Sequence, residues 1–278
     1  MSAPFIPKQV LPFDPRFLLK LNVGISRSLA DQVVSKVVPT LPPKSRIHDN
    51  ACGPGDVTKA LLEAGKLTDG TTIDATDINS AYLDELEDAI KDNKASSVTV
   101  EVMDSMALTY PDNTFTLSIA SLVLPYVKED VAVARELLRT LEPGGTGVIT
   151  VWKDSPMINV TIDAHHQTRG KEAPLPPLVA LSLYSVDELK KALDGAGYGN
   201  VSYVDMTAYA DMDDIKEWAT IAWSFLAQPS GGWTKADEDS WDTAISIMVD
   251  GLSSAGSKDE QSKITMVPMT GTAAVFKK

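Results

Sequence analysis

The chain has 278 residues, of which 38 are acidic and 25 basic, giving a formal charge of −13 at pH 7. That excess disfavours nucleic acid as a partner, since a polyanion is met by clustered lysine and arginine. A 44% hydrophobic content is ample for a substantial core.

No apolar run approaches the roughly 20 residues needed to cross a bilayer, and Met1-Ser2-Ala3-Pro4 has no basic segment leading into an apolar one. A soluble, cytoplasmic protein without a membrane partner is expected. The single cysteine, Cys52, cannot form an internal disulfide, and no Cys/His spacing suggests a metal.

Residues 9 to 40 carry Phe17, Leu18, Leu21, Val23, Ile25, Leu29, Val33 and Val37 at helical spacing before the Pro39 to Pro43 break. They predict a helical cap over residues 1–44, ahead of the first strand. From 46 to 152 strand and helix alternate, which predicts a parallel sheet. Strands are expected near 46–51, 71–76, 97–103, 115–123 and 146–152, and helices near 56–65, 79–92 and 128–141.

Within that half, Arg46 to Thr58 reads as a strand breaking into a glycine turn and then a helix. Such a turn lets backbone approach a ligand closely. In G-x-G-x-x-G the sixth position is small, but here Thr58 stands there. Asp49 and Asp56 flank the place a pyrophosphate would occupy, and their charge repels phosphate. It suits a ligand with positive charge, an ammonium or a sulfonium beside an adenosine, and so points to S-adenosylmethionine. Asp77, closing the next strand, would lie beside the turn and accept both ribose hydroxyls.

Together these segments resemble the class I S-adenosylmethionine-dependent methyltransferases. Asp49-Asn50-Ala51-Cys52-Gly53-Pro54-Gly55 is similar to their first motif, Asp77-Ile78-Asn79 to the second and Asp104-Ser105-Met106 to the third. Tyr110 to Ser121 resembles the loop and fourth strand, and Leu141-Glu142-Pro143-Gly144-Gly145 the turn before the fifth. The Asp-Asn-Ala-Cys-Gly form also resembles fungal natural-product methyltransferases, including those that cap thiols. The resemblance implies a Rossmann-like, mostly parallel seven-stranded sheet with helices on both faces. It further implies a cofactor site at Asp49, Ala51, Gly53, Gly55, Asp77, Ile78, Asp104, Ser105, Met106 and Ser121. Two departures fall on the substrate side: Thr116 follows Phe115 where many relatives have an acid, and Pro125-Tyr126 stand where many have a histidine pair.

Beyond Trp152 the pattern changes. Residues 153–184 hold the Pro174, Pro176, Pro177 cluster, and Ser185 with Glu188 predicts a capping box for a helix to Ala196. Val201 to Tyr209 reads as a sixth strand, and Thr265 to Phe276 as an antiparallel last one. Between them, helical stretches at 212–227 and 234–252 predict a lid insertion over about 211–264. Four of the five tryptophans, Trp218, Trp223, Trp233 and Trp241, fall there, and they suit either an apolar acceptor pocket or simple core filling.

Tyr126, Trp152, Tyr209 and Trp223 are the candidates for lining that pocket. His165 and His166 are candidate general bases, with a solvated pair on a polar helix as the alternative. Cys52 and His48 are expected to be structural.

The function expected is in-line methyl transfer to a small organic acceptor in secondary metabolism, by a single domain with a cofactor half at 46–152 and a substrate half at 153–278. The acceptor atom, oxygen, nitrogen or sulfur, and the oligomeric state stay open. The rival readings are a cofactor-binding protein of the same fold that transfers no methyl group, acting in regulation or rearrangement, and a NAD-dependent oxidoreductase.

Overall fold

The structure, a computed structural model, describes residues 4–14, 16–92 and 97–278. Met1 to Ala3, on which the reading of the amino terminus rests, lie outside the described residues, as does the side chain of Leu18. In chain order the elements are α1 (Arg16–Asn22), α2 (Ile25–Lys36), β1 (Arg46–Asn50), α3 (Asp56–Glu63), β2 (Thr72–Asp77), α4 (Ser80–Asp92) and β3 (Val98–Val102). Next come β4 (Phe115–Ser121), a 3₁₀ turn (Leu124–Tyr126), α5 (Asp130–Thr140), β5 (Leu141–Asp154), α6 (Pro156–Arg169), α7 (Pro177–Leu181) and α8 (Val186–Ala196). The chain continues through β6 (Val201–Met212), α9 (Ile215–Phe225), α10 (Lys235–Asp239), α11 (Trp241–Ala255), β7 (Ser257–Lys258) and β8 (Thr265–Lys277).

These residues form two compact units. The larger holds Ser26–Lys153, Tyr184–Thr207 and Thr270–Lys278; the other holds the residues up to Ile25, Asp154–Leu183 and Ala208–Met269.

The larger unit is built on the sheet, whose strand order is β3-β2-β1-β4-β5-β8-β6. The pairs β3-β2, β2-β1, β1-β4 and β4-β5 are all parallel. Seven strands lie on this path, as expected, and the two-residue β7, paired antiparallel with β8, makes an eighth among the described residues. β1 is buried from Ile47 to Asn50, as a central parallel strand covered on both faces must be.

One face carries a core of Phe115, Leu124, Leu137, Leu141, Leu189 and Phe276, and the other packs Cys52 and Ala75 against Leu83 and Leu86 of α4. Ser185 and Glu188 form the expected capping box on α8. In β5, Gly147 leaves the space filled by the ring of Phe276 from β8: a Cβ there would stand 1.9 Å from a ring carbon. That ring is held by Tyr198, 4.2 Å away edge-on, whose hydroxyl donates to the Ala134 carbonyl at 2.6 Å.

In the second unit α11 packs on α6 and α9, and α1 on α9. Gly251 of α11 allows the close approach to α6, since a Cβ there would meet Val160 at 2.6 Å. The helix α6 carries His165 and His166, where the sequence suggests a helix without fixing its bounds. Ser155 caps it by accepting from the Ile158 N–H, and Pro156 stands at its first position, where a missing N–H costs nothing. No helix among the described residues is long and apolar enough to cross a membrane.

Gly147→Ala is expected to lower the stability of the larger unit by about 2 kcal/mol or more, the usual cost of overpacking a filled core. Urea unfolding would measure it, and combining it with Phe276→Leu should recover part of the loss.

Candidate functional site

The ten residues expected to hold the cofactor all lie in the larger unit. They cluster at the carboxyl ends of β1, β2, β3 and β4 and in the turns that follow, the edge where open α/β sheets bind ligands. After β1 the chain turns through Ala51, Gly53 and Gly55, all at positive φ (56°, 54° and 88°). Ala51 adopts this region at a cost that glycine avoids, and strain of this kind concentrates at functional turns. At Gly53 a Cβ would meet nothing within 4 Å, so the turn faces open space there; at Gly55 it would stand 2.4 Å from Leu86, so this glycine serves packing against α4.

Three of the turn's N–H groups are already used. Cys52 N–H donates to the Thr76 carbonyl at 2.9 Å and Gly55 N–H to the Cys52 carbonyl at 2.9 Å. Gly53 N–H donates to Oδ2 of Asp77 at 2.9 Å. In a phosphate-binding loop such groups point at the ligand; here they point at the protein.

One N–H in the first turn of α3 is likewise engaged. Asp49, 1% exposed, accepts through Oδ2 from both the N–H (2.9 Å) and the hydroxyl (2.7 Å) of Thr58. A carboxylate from β1 thus caps the helix where a pyrophosphate would sit. Thr58, noticed in the sequence only as a missing glycine, is what the structure adds to the site. A hydroxyl at that position, nine residues beyond a buried acid, was the available signal.

Burial pushes the Asp49 carboxyl up to about 7, against the two Thr58 hydrogen bonds, with help from the nearby Asp56 and Asp77 carboxylates. Burial raises Asp56 as well. The Cys52 thiol is driven strongly upward by burial and by Asp49 and Asp77, which leaves it unreactive, as its structural reading requires.

Asp77 ties the edge together. Besides Gly53, it accepts the Asn79 N–H through Oδ1 at 2.9 Å, and its own carbonyl accepts the Met103 N–H at 3.0 Å. Ile78 beside it is 69% exposed, an apolar side chain at the ligand edge. Asp104 accepts the Met106 N–H at 2.8 Å, Ser105 is buried, and Met106 packs half-buried against the core. Ser121 shares a hydrogen bond of 2.9 Å with Thr150 of β5. The next residue, Leu122, sits at φ 61°, its N–H donating to the Thr150 carbonyl at 3.1 Å, a second strained residue on this edge that its type does not announce. Below the site, His48 is a neutral core histidine. Its ring bonds Thr76 and Ser118 and stacks on Phe115 at 4.7 Å, and burial pulls its pKa down to about 3.

The acceptor-side residues divide between the units. Tyr126 and Trp152 belong to the larger one, where Tyr126 ends the 3₁₀ turn, 68% exposed, and Trp152 lies beside Gly271 with its ring 3.5 Å from where a Cβ would stand. His165, His166, Tyr209 and Trp223 belong to the helical unit. Tyr209 is 45% exposed on β6, and His166 is half-buried on α6 beside His165.

His165 is buried with both ring nitrogens engaged: Nδ1 at 3.1 Å from an Arg169 N–H and Nε2 at 3.1 Å from the Ala173 carbonyl. Burial lowers its pKa. It therefore has no lone pair to spare for abstracting a proton, a correction to its candidacy as a base. Arg169 organises this neighbourhood. Its guanidinium donates to Asp237 at 2.7 Å and to the Ala227 carbonyl at 2.8 Å, and lies 4.7 Å from the Trp223 ring centre and 5.2 Å from that of Trp233. Trp223, 1% exposed, is packed in this cation–aromatic cluster.

Strand order, a capped glycine turn and an acid closing β2 give the larger unit a Rossmann-like fold, the one it shares with solved methyltransferase structures. The chain's similarity to known proteins is to methyltransferases. Residues 47–145 match a family model described as a methyltransferase domain. Over 197 residues the chain is 25% identical to the 2-methyl-6-phytyl-1,4-hydroquinone methyltransferase of Synechocystis sp., a match covering 69% of this chain and 58% of the relative. It is 33% identical over 104 residues to the ubiquinone/menaquinone biosynthesis C-methyltransferase UbiE of Hydrogenovibrio crunogenus, covering 37% of this chain and 40% of that one. The chain thus spans less than two thirds of the length of either curated relative. Among solved structures, a candidate methyltransferase from Bacillus halodurans shares the fold with a TM-score of 0.56 at 13% identity, over 91% of this chain and 98% of that one.

Two outcomes are expected. Asp49 ionises at an ordinary 3.8 when unfolded but at about 7 when folded, so its contribution to stability is complete below 3.8 and is lost as pH rises through 7. The stability difference between wild type and Asp49→Asn should therefore shift in favour of wild type by about 1.4 kcal/mol per pH unit as pH falls through that window; denaturation at several pH values measures it. In the helical unit, Asp237→Ala strands a buried guanidinium and should cost about 3–5 kcal/mol, read as faster hydrogen exchange along α6.

Proposed function

We propose that this chain is an S-adenosylmethionine-dependent methyltransferase acting on a small organic acceptor. The observation that carries the reading is the turn after β1: the N–H groups of Cys52, Gly53 and Gly55 are spent on protein acceptors, including Asp77, and the Thr58 N–H of α3 on Asp49. An edge lined by Asp49, Asp56 and Asp77 suits a cation and repels a pyrophosphate, which disfavours a NAD-dependent oxidoreductase.

The residues present fit S-adenosylmethionine. The open space at Gly53 leaves room for a ligand against the backbone. Asp77 keeps lone pairs for the ribose hydroxyls, Asp49 would face the positive charge, and Asp104, Ser105 and Met106 with the exposed Ile78 would border the adenine. When bound, the cofactor supplies a methyl group activated by its sulfonium. The chain's own part is to hold the two reactants in line and away from water, a contribution on the order of 7 to 11 kcal/mol.

A general base adds typically 10²–10⁴-fold. With His165 committed to Arg169 and Ala173, His166 is the histidine proposed for that task where the acceptor must lose a proton. The quinone-ring names of the two curated relatives support a small cyclic acceptor; the Asp49 to Gly53 motif form supports a role in secondary metabolism.

Calorimetry with S-adenosylmethionine and its demethylated product is expected to give saturable binding of both, and Asp77→Ala to weaken it about tenfold or more, as loss of charge-assisted hydrogen bonds would. Binding of neither compound, with NADH bound instead, would reject the assignment.

A further inference from the structure

The sixth position of the glycine motif is where a dinucleotide fold keeps a small residue for packing. Here Thr58 fills it, fully buried, and both its polar groups converge on a single carboxylate oxygen, Oδ2 of Asp49, at 2.9 and 2.7 Å. The titratable groups facing Asp49 from the packed elements are the carboxyls of Asp56 at the start of α3 and Asp77 at the end of β2, with the Cys52 thiol in the turn between.

Nothing positive among these groups offsets them. The Thr58 donors are thus what favours the anion before a ligand arrives.

We infer that Thr58 is a positioning residue of the cofactor site, holding Asp49 as an oriented anion against the cationic part of the methyl donor. Resting as it does on the methyl-transfer reading of this site, the assignment makes cofactor affinity depend on the Thr58 hydroxyl through Asp49 alone. Near neutral pH the Asp49 carboxyl is divided between acid and anion, so removing one donor moves a large share of the population to the neutral form. A cation then meets a carboxylic acid where it met a carboxylate.

The experiment compares wild type, Thr58→Val, Thr58→Ser and Asp49→Asn by calorimetric titration with S-adenosylmethionine from pH 6 to 9. Thr58→Val, close to isosteric, should bind about tenfold more weakly at pH 7 and approach wild type at pH 9, as a displaced titration requires. Thr58→Ser keeps the hydroxyl and should follow the wild-type profile. Asp49→Asn should flatten the profile, and adding Thr58→Val to it should change nothing further.

A Thr58→Val profile matching wild type overturns the inference. So does an equal loss in the Asp49→Asn background, which would make the effect one of packing. Thr58→Ala serves the same comparison should the valine variant fold poorly. Wild type that binds no S-adenosylmethionine at any pH fails the methyl-transfer reading itself, whereas binding with no Thr58 effect fails only this role.

Discussion

A carboxylate kept out of water at the head of a helix is the constraint on which the ligand edge is arranged. Asp49 sits in a strand buried on both faces, so it must find its donors within the protein. It finds them in one residue, at the start of α3. That choice fixes where the helix begins relative to the strand, commits its amino end to the protein's own negative charge, and leaves the glycine turn to be bridged from the other side by Asp77. The turn is therefore tied to the neighbouring strand β2 before any ligand is present. Such preorganisation lowers the ordering cost of binding.

The same arrangement carries a tension. Three acids crowd one edge: burial raises the Asp49 and Asp56 carboxyls, and Asp49 is raised further by repulsion from its neighbours Asp56 and Asp77. A cationic ligand relieves that repulsion; an anionic one would compound it. Strain points the same way, with Ala51 and Leu122 both in the left-handed region at the ends of the neighbouring strands β1 and β4. The fold holds these conformations by backbone hydrogen bonds to the adjoining strands, Cys52 to Thr76 and Leu122 to Thr150.

Much of this was legible in the sequence because it is local. The alternation from 46 to 152, the acids at 49 and 77 and the Ser185 capping box each follow from a short run of residues, and the structure has them where they were expected. What escaped depends on neighbours distant in the chain. The buried face of α6 was hidden because it includes Thr161 and His165, polar residues that blur the apolar period and become intelligible only beside Arg169 and Asp237. For the same reason His165 looked available as a base. Thr58 read as a defect in a glycine pattern, since its partner is nine residues away and on another element. The strand β5 runs back to Leu141 through the Pro143-Gly144-Gly145 turn, with its register against β4 shifting between Phe115 and Leu117, an irregularity no periodicity predicts.

Strand order has an implication for how the chain becomes native. β8 lies between β5 and β6, so β6, made some sixty residues earlier, has no strand beside it until β8 is in place. Gly147 and Phe276 make that arrival a matter of fit, the glycine leaving a slot that only the incoming ring fills. Until then the flank of β5 is an open border of unpaired backbone next to an unfilled hollow, the kind of surface that invites association with other chains. Assembly of this sheet is thus bound to contacts of long sequence separation, and its slowest and most aggregation-prone moment should fall just before the last strand docks.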